Sequence, residues 1–423
     1  MDGLLIGFDL CDTYTQVCVY DEETAEPIVI PLSDPEVAQF GDIPTVVCKC
    51  RRRDEWRIGS DGFKTALESD GIMVDKLIRL SRKSGVATLE DVTYQATDLL
   101  EIFILKVLGL VSEKYDHTPI KRVVFTLRVL DARIIECILA TTKKFGLTDD
   151  QVQVIGHAEA YMYFLMSQKP EVYANIASLF ELSEEGLTYM ECRVMRGMKP
   201  QIVRISAERL EEGFDLGILE NSQGKRLADN IICSCAERLL AKKIISSVCL
   251  AGKGFEHVDQ WGVKALPVIC NRRKAFYEGP LFAKGAVYLA LDTLRESTAY
   301  PYMCVCDGRL ASNVSIPMQV NGLTRPVMLI SAGTRWYQAG SELEFYIDDM
   351  DSVDLTIQAI DQMQARTVKI DLDNFPVRPK RATRVKMSLT CPSESLLKLK
   401  IEDMGFGTMF PASDACVERE IPL

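Results

Sequence analysis

The apolar residues of this chain fall into short blocks whose period alternates between two and about 3.6 residues. Leu4-Leu5-Ile6-Gly7-Phe8-Asp9-Leu10 is an almost unbroken apolar run and predicts a buried strand. Gln16 to Tyr20 predicts its hairpin partner across a Cys11-Asp12-Thr13 turn, and Glu26 to Leu32 a third strand. Strand patterns recur at Pro44 to Cys50 and near Trp56. Between Asp91 and Tyr115 the apolar positions Leu99, Leu100, Phe103, Ile104, Val107 and Leu108 follow the helical period. Val123 to Thr126 then reads as a strand. Asp131 is placed to cap a helix that stops at Gly146. Val152 to Ile155 is a further strand, with a helix following from Ala158.

The opening pattern then repeats. Ile176 to Leu182 and Thr188 to Met195 predict a second hairpin around Ser183-Glu184-Glu185-Gly186, and Gln201 to Ser206 adds a third strand. Helices over 224–243 and 280–294 and a strand at Ser247 to Ala251 complete this half. The repeat predicts a duplicated α/β domain whose two hairpin turns face one cleft. Beyond Tyr300 the pattern is strands alone, at 314–317, 327–330, 342–347, 353–360, 365–370, 383–389 and 396–401, which predicts an all-β sandwich. The expected organisation is a two-lobed domain over 1–298, with lobes of about 1–170 and 171–298, and a sandwich over 299–423.

Charge and cysteine usage narrow the function classes. The net charge of −11 disfavours nucleic-acid and anionic-membrane binding, which need clustered Lys and Arg. The one compact basic run, Arg51-Arg52-Arg53, is followed at once by Asp54-Glu55. Asp2, Asp9 and Asp12 interrupt the N-terminal apolar residues, which excludes a signal peptide pattern. No apolar run reaches the ~18 residues of a membrane span. A cytoplasmic protein is expected. The 14 cysteines include three C-x-C pairs but no C-x₂₋₄-C knuckle, so zinc is not expected. The three histidines, at 117, 157 and 257, lie far apart in sequence.

Several segments, in order, carry a family resemblance. Ile6-Gly7-Phe8-Asp9-Leu10-Cys11-Asp12-Thr13-Tyr14 resembles the first phosphate loop of the seventy-kilodalton heat-shock chaperones. Ile43-Pro44-Thr45-Val46-Val47 is similar to the family's T-P-S-V-V strand, and Ile58-Gly59 through Lys64 to the segment with its catalytic lysine. Val74 to Leu80 sits where the family has an F-x-x-K-R-L-I-G helix, and Val123 to Leu147 aligns with its V-I-T-V-P strand and the helix after it. Leu250-Ala251-Gly252-Lys253-Gly254 resembles the adenosine-contacting V-G-G-S-T, and Ala283-Lys284-Gly285-Ala286 the helix that follows. Ile330 to Thr334 and Lys398 to Asp403 are similar to the substrate-binding sandwich. The resemblance implies an actin-like ATPase superfold, ATP or ADP with magnesium as ligands, and peptide binding by the sandwich. It makes Asp9, Lys64 and Glu181 the catalytic candidates and Asp9, Asp12, Thr13, Gly252 and Gly254 the nucleotide-binding ones, with Asp9 the metal-side carboxylate if magnesium binds.

The departures point away from efficient hydrolysis. Cys11 stands where the family has a phosphate-loop glycine. The second loop reads Glu181-Leu182-Ser183-Glu184-Glu185-Gly186 in place of D-L-G-G-G-T. His157 falls on the position of a catalytic glutamate, with Glu159 displaced by two. Leu127 and Ile135 replace the proline and arginine of the interdomain relay. The stretch from Glu181 to Gly252 is short for the family, which implies a reduced outer subdomain in the second lobe. No amphipathic helix follows Glu402, so no lid is expected. Glu184 and Glu185 are either a new metal site or a solvated hairpin tip, and His157 a packed imidazole or a base. The expected function is that of a chaperone-like interaction protein with a degenerate nucleotide domain, binding a protein or peptide partner through residues 300–423. An ATPase with rearranged carboxylates and a small-molecule kinase of the same superfold are the alternatives.

Overall fold

The computed structural model describes residues 3–32, 41–197, 200–347, 351–360 and 364–423. They form two compact units, Met1–Tyr302 and Met303–Leu423. The first is mixed α/β and the second is built of strands. Among the described residues no helix is long and apolar enough to cross a membrane.

In chain order the first unit begins with β1 (Leu4–Leu10), β2 (Tyr14–Asp21), β3 (Glu26–Val29), β4 (Ile43–Pro44), β5 (Val47–Cys50) and β6 (Trp56–Ile58). It continues through α1 (Gly59–Leu67), β7 (Gly71–Val74), α2 (Leu77–Arg82), β8 (Val86–Leu89), β9 (Val92–Gln95) and α3 (Ala96–Lys114). Next come β10 (Ile120–Leu127), α4 (Ala132–Lys144), β11 (Val152–Gly156) and α5 (His157–Met166). The main sheet has the order β11-β10-β1-β2-β3, with β1, β10 and β11 parallel and the β1–β2–β3 meander antiparallel. All seven residues of β1 are buried, as expected of a strand covered on both faces. Asp131 caps α4 by accepting from the amides of Arg133 and Ile134. The helical period read from Asp91 belongs to α3, which starts at Ala96. Its first residues, which carry Val92-Thr93-Tyr94, pair instead as the β8–β9 hairpin.

The second half of the unit comprises β12 (Ile176–Ser183), β13 (Gly186–Met195), β14 (Gln201–Leu210), α6 (Ser222–Leu240), β15 (Ile245–Ala251), α7 (Val258–Trp261), α8 (Ala265–Cys270), β16 (Lys274–Tyr277) and α9 (Leu281–Asp292). Its strands run β16-β15-β12-β13-β14, again with a parallel trio and an antiparallel meander. The two hairpins thus lie in separate sheets. A core that includes Phe180, Ile232, Leu239, Val248, Phe255 and Trp261 fills the second half. Only residues 211–221, with one short 3-10 turn, connect β14 to α6.

Two glycines set how closely the layers approach. α9 packs on β1, β2 and β10 of the first sheet and on α5. A Cβ on Gly7 would lie 2.0 Å from the carbonyl oxygen of Ala283, and one on Gly285 would lie 2.0 Å from that of Ala160. Helix propensity alone would make Gly285→Ala stabilising by about 1 kcal/mol. The backbone overlap reverses the sign, and the variant should lose about 1–3 kcal/mol, read from its urea midpoint. A midpoint at or above the parent's would refute this packing.

β17 (Tyr302–Val305) carries the chain from the first unit into the second. The second unit then contains β18 (Ser312–Val320), β19 (Leu323–Ile330), β20 (Gly340–Ile347), β21 (Ser352–Ala359), β22 (Arg366–Asp371), β23 (Thr383–Ser393), β24 (Leu396–Asp403) and β25 (Cys416–Pro422). They form two antiparallel four-stranded sheets, β19-β18-β21-β22 and β20-β23-β24-β25. Alternate residues are buried along β23 and β24, for example Met387 and Leu389 opposite Ile401 and Leu399. The sequence pattern ends its strands at Ile401, whereas β25 adds one more. Its Val-Glu-Arg-Glu core is too polar to read as a strand, which an edge position permits.

Candidate functional site

The parallel strands of both sheets end at one place in the first unit, and the chemistry-bearing side chains sit at those ends. Asp9 is the penultimate residue of β1, and Cys11 opens the turn after it. Arg128 follows β10, His157 begins α5 directly after β11, and Glu181 lies near the end of β12 with Ser183 and Glu185 at its hairpin turn. Gly252 and Lys253 follow β15. The carboxyl ends of strands in α/β sheets are where such folds bind ligands.

These groups form one continuous network. His157 Nε2 is 2.8 Å from Asp9 Oδ1 and 3.8 Å from Cys11 Sγ, and the thiol is 3.6 Å from Asp9 Oδ1. The imidazole is 2% exposed and stacks on Phe282 with ring centroids 3.7 Å apart. On its other side, His157 Nδ1 is 3.9 Å from Glu181 Oε2 and has no hydrogen-bond partner. Arg128 grips Glu181 with both terminal nitrogens, Nη1 donating to Oε2 at 2.9 Å and Nη2 to Oε1. It also donates to Ser183 Oγ at 3.0 Å and places Nε 3.0 Å from Glu185 Oε2. Glu185 Oε1 in turn accepts from the Asp12 amide at 3.4 Å. Arg128 therefore ties the first sheet to the hairpin turn of the second.

Burial and charge act on these groups in opposite directions. Burial opposes a charge on His157, but the Asp9 carboxylate and its hydrogen bond outweigh that and hold the imidazole well above its ordinary value. Burial would also raise Glu181. The Arg128 guanidinium and His157 override it and bring the carboxyl down to about 2. Burial, with the Asp9 charge added, pushes the Cys11 thiol up to about 12.

The sequence candidates divide in two. Asp9, Thr13, Glu181 and Gly252 line one cavity together with Cys11, Arg128 and Glu184. Asp12 instead accepts from the Arg79 amide at 2.9 Å, satisfying the first turn of α2. Burial raises its carboxyl, the Arg79 amide partly offsets this, and Glu185 adds to the rise. Lys64 is exposed on α1 and outside the cavity lining. Gly254 is buried behind it, where a Cβ would meet Leu182 Cγ at 2.3 Å. At Gly252, φ is +85° and a Cβ would lie 2.4 Å from the Leu182 carbonyl oxygen, so the turn requires glycine irrespective of a ligand. Glu185 is an ion-pair partner of Arg128. Sequence reasoning passed over Arg128 itself. The available signal was a lone cation directly after the apolar strand Val123–Leu127.

The cavity volume is about 70 Å³. Small-molecule sites usually enclose about 300–1,000 Å³. Glu181, Glu184 and Glu185 add negative charge to the cavity; of its two cations, Arg128 is already shared between two of them and Lys253 lies over the Tyr14 ring, 3.7 Å from its centroid. In this arrangement the residues present do not fit a magnesium nucleotide.

The fold and site thus describe an α/β unit with a charge-paired cleft, followed by an all-β unit. Residues 35–307 match the family described as "Family of unknown function (DUF5716) C-terminal", and the chain belongs to that family. Residues 309–423 match a domain of unknown function, DUF8552. No curated protein matches the sequence.

Proposed function

We propose that this chain is a divergent relative of the heat-shock chaperones with an actin-like duplicated first domain, and that it works as an interaction protein without efficient ATP hydrolysis. Its β-sandwich, residues 300–423, would bind a protein or peptide partner. The observation that carries the reading is Arg128, whose ion pairs with Glu181 and Glu185 fill the part of the cleft where the resemblance would put nucleotide phosphates. The duplication is supported by the matching order and sense of β3-β2-β1-β10-β11 and β14-β13-β12-β15-β16. α9 is also late in sequence yet packs on the first sheet, as a two-lobed fold with crossing helices requires. Leu127 and Ile135, both buried, leave no polar relay at those positions to couple nucleotide to peptide release. The edges of the two β-sheets offer backbone to an extended peptide.

Phosphoryl transfer depends on positioning and charge neutralisation, and the loss of one such donor costs about 10²–10³ in rate. Calorimetric titration of the full chain with ATP and magnesium should give no saturable heat, and phosphate release should stay at background. Turnover that Asp9→Asn abolishes would overturn the reading in favour of an ATPase with rearranged carboxylates. Fluorescence anisotropy of apolar peptides with the full chain tests the binding half. Saturable micromolar binding with competition supports peptide capture, and its absence leaves a folded protein partner as the occupant.

A further inference from the structure

We propose that Asp9, Cys11 and His157 form a site for one divalent transition-metal ion of the zinc type at the base of the cleft. The three donor atoms lie within 4.8 Å of one another. A tetrahedral zinc ion with Zn–S of about 2.3 Å and Zn–N or Zn–O of about 2.0–2.1 Å sets its ligands about 3.3–3.6 Å apart. The Cys11–Asp9 separation is 3.6 Å and the Cys11–His157 separation 3.8 Å, so two edges of the ligand triangle already fit. The third, Asp9 to His157 at 2.8 Å, is a hydrogen bond and must open by about 0.5 Å when an ion replaces its proton.

The donor set selects the kind of ion. Thiolate and imidazole favour borderline-soft ions over magnesium or calcium, which take oxygen ligands. A thiolate and a carboxylate around a divalent cation also give a neutral centre, which suits a site where Asp9 is 6% and His157 2% exposed.

A second observation points to a ligand on His157. Its Nδ1 is buried and unpartnered, and the Glu181 carboxylate, fixed by Arg128, stands 3.9 Å away. A metal on Nε2 places the ring proton on Nδ1, directed at that carboxylate. Histidines that ligate metals are ordinarily oriented by such an outer carboxylate. Phe282 stacks on the ring and fixes its plane. Cys11 and Asp9 line the cavity, which leaves the fourth position to water. Binding releases the thiol proton of Cys11 and the Nε2 proton that His157 shares with Asp9, and the imidazole keeps its Nδ1 proton. The inference does not rest on the nucleotide reading, and either can fail alone.

The test is titration of the chelator-treated full chain with cobalt(II) and, separately, with zinc. The expected result is one tight equivalent, a sulfur-to-cobalt charge-transfer band in the near ultraviolet, tetrahedral visible bands, and a Tm raised by the metal. Cys11→Ser should remove the charge-transfer band with the circular dichroism unchanged, because Cys11 is only half-buried in a turn. His157→Gln should remove the tight equivalent. No stoichiometric binding, or a band that persists in Cys11→Ser and so belongs to another cysteine, would overturn the site.

Discussion

Replacing Arg128 with alanine should destabilise the first unit by about 3–5 kcal/mol, the usual cost of removing one partner from a buried ion pair. The Glu181 side chain is 4% exposed, and Arg128 is its bidentate partner. Without the guanidinium, a carboxylate is left in a low-dielectric cleft beside Glu185. The effect should be local first, so hydrogen exchange of the β10 and β12 amides is the sensitive measurement. The pair need not be worth that much in net terms, because desolvation offsets most of its attraction. Arg128→Met combined with Glu181→Leu should therefore recover most of the loss. A single variant within about 1 kcal/mol of the parent, where surface pairs lie, would mean that the cleft is wet and the network loose.

The second large effect belongs to the all-β unit. The Asp403 side chain is fully buried at the end of β24 and accepts five hydrogen bonds. Arg378 Nη1 and Nη2 donate at 2.6 and 2.7 Å, the Gly405 amide at 3.0 Å, and the Ser413 amide and hydroxyl at 2.8 and 2.7 Å. One carboxylate thus fastens two loops, that between β22 and β23 and that between β24 and β25. Asp403→Ala should cost about 3–5 kcal/mol, because the buried Arg378 loses its counter-charge. Burial would raise the Asp403 carboxyl, but Arg378 and Ser413 hold it far below the usual carboxylate range. The sign with pH follows. The stabilisation is complete above the unfolded group's value near 3.8 and is lost as pH falls below it toward the depressed folded-state value. The gap between parent and Asp403→Ala should therefore be constant at neutral pH and narrow below about pH 4. Hydrogen exchange of β23 and β24 reads this unit apart from the first. A gap that widens on acidification would refute the assignment.

Periodicity made much of the framework legible. The core positions of α3, the fully apolar β1 and the alternating β23 and β24 each obey a local rule that burial enforces residue by residue. It failed where a neighbour rather than the local pattern decides. The hairpin β8–β9 precedes a long helix and was hidden inside its approach. The polar edge strand β25 exists because β24 supplies its hydrogen bonds. Among the candidate residues, Asp9, Thr13, Glu181 and Gly252 do share one cavity, whereas Lys64 stands apart from it and Asp12 is engaged with α2. The sequence alone singled out Cys11, after the first apolar strand, and His157, after the strand Val152–Ile155, but it could not show that they meet.

By itself, then, the sequence determined what depends on runs and spacings: most of the strands and helices, the change to strands alone after Tyr300, and the acidic balance. The tertiary structure alone decided which charges neutralise one another. Arg128 reaches Glu181 and Glu185 across more than fifty residues of chain, and His157 reaches Asp9 across 148. Knuckle spacing reports only on groups in a single turn, whereas Asp9 comes from a strand end, Cys11 from a turn and His157 from a helix start. Coulomb and coordination energies depend on separation in space, and only the strand order of the first sheet brings those three ends together.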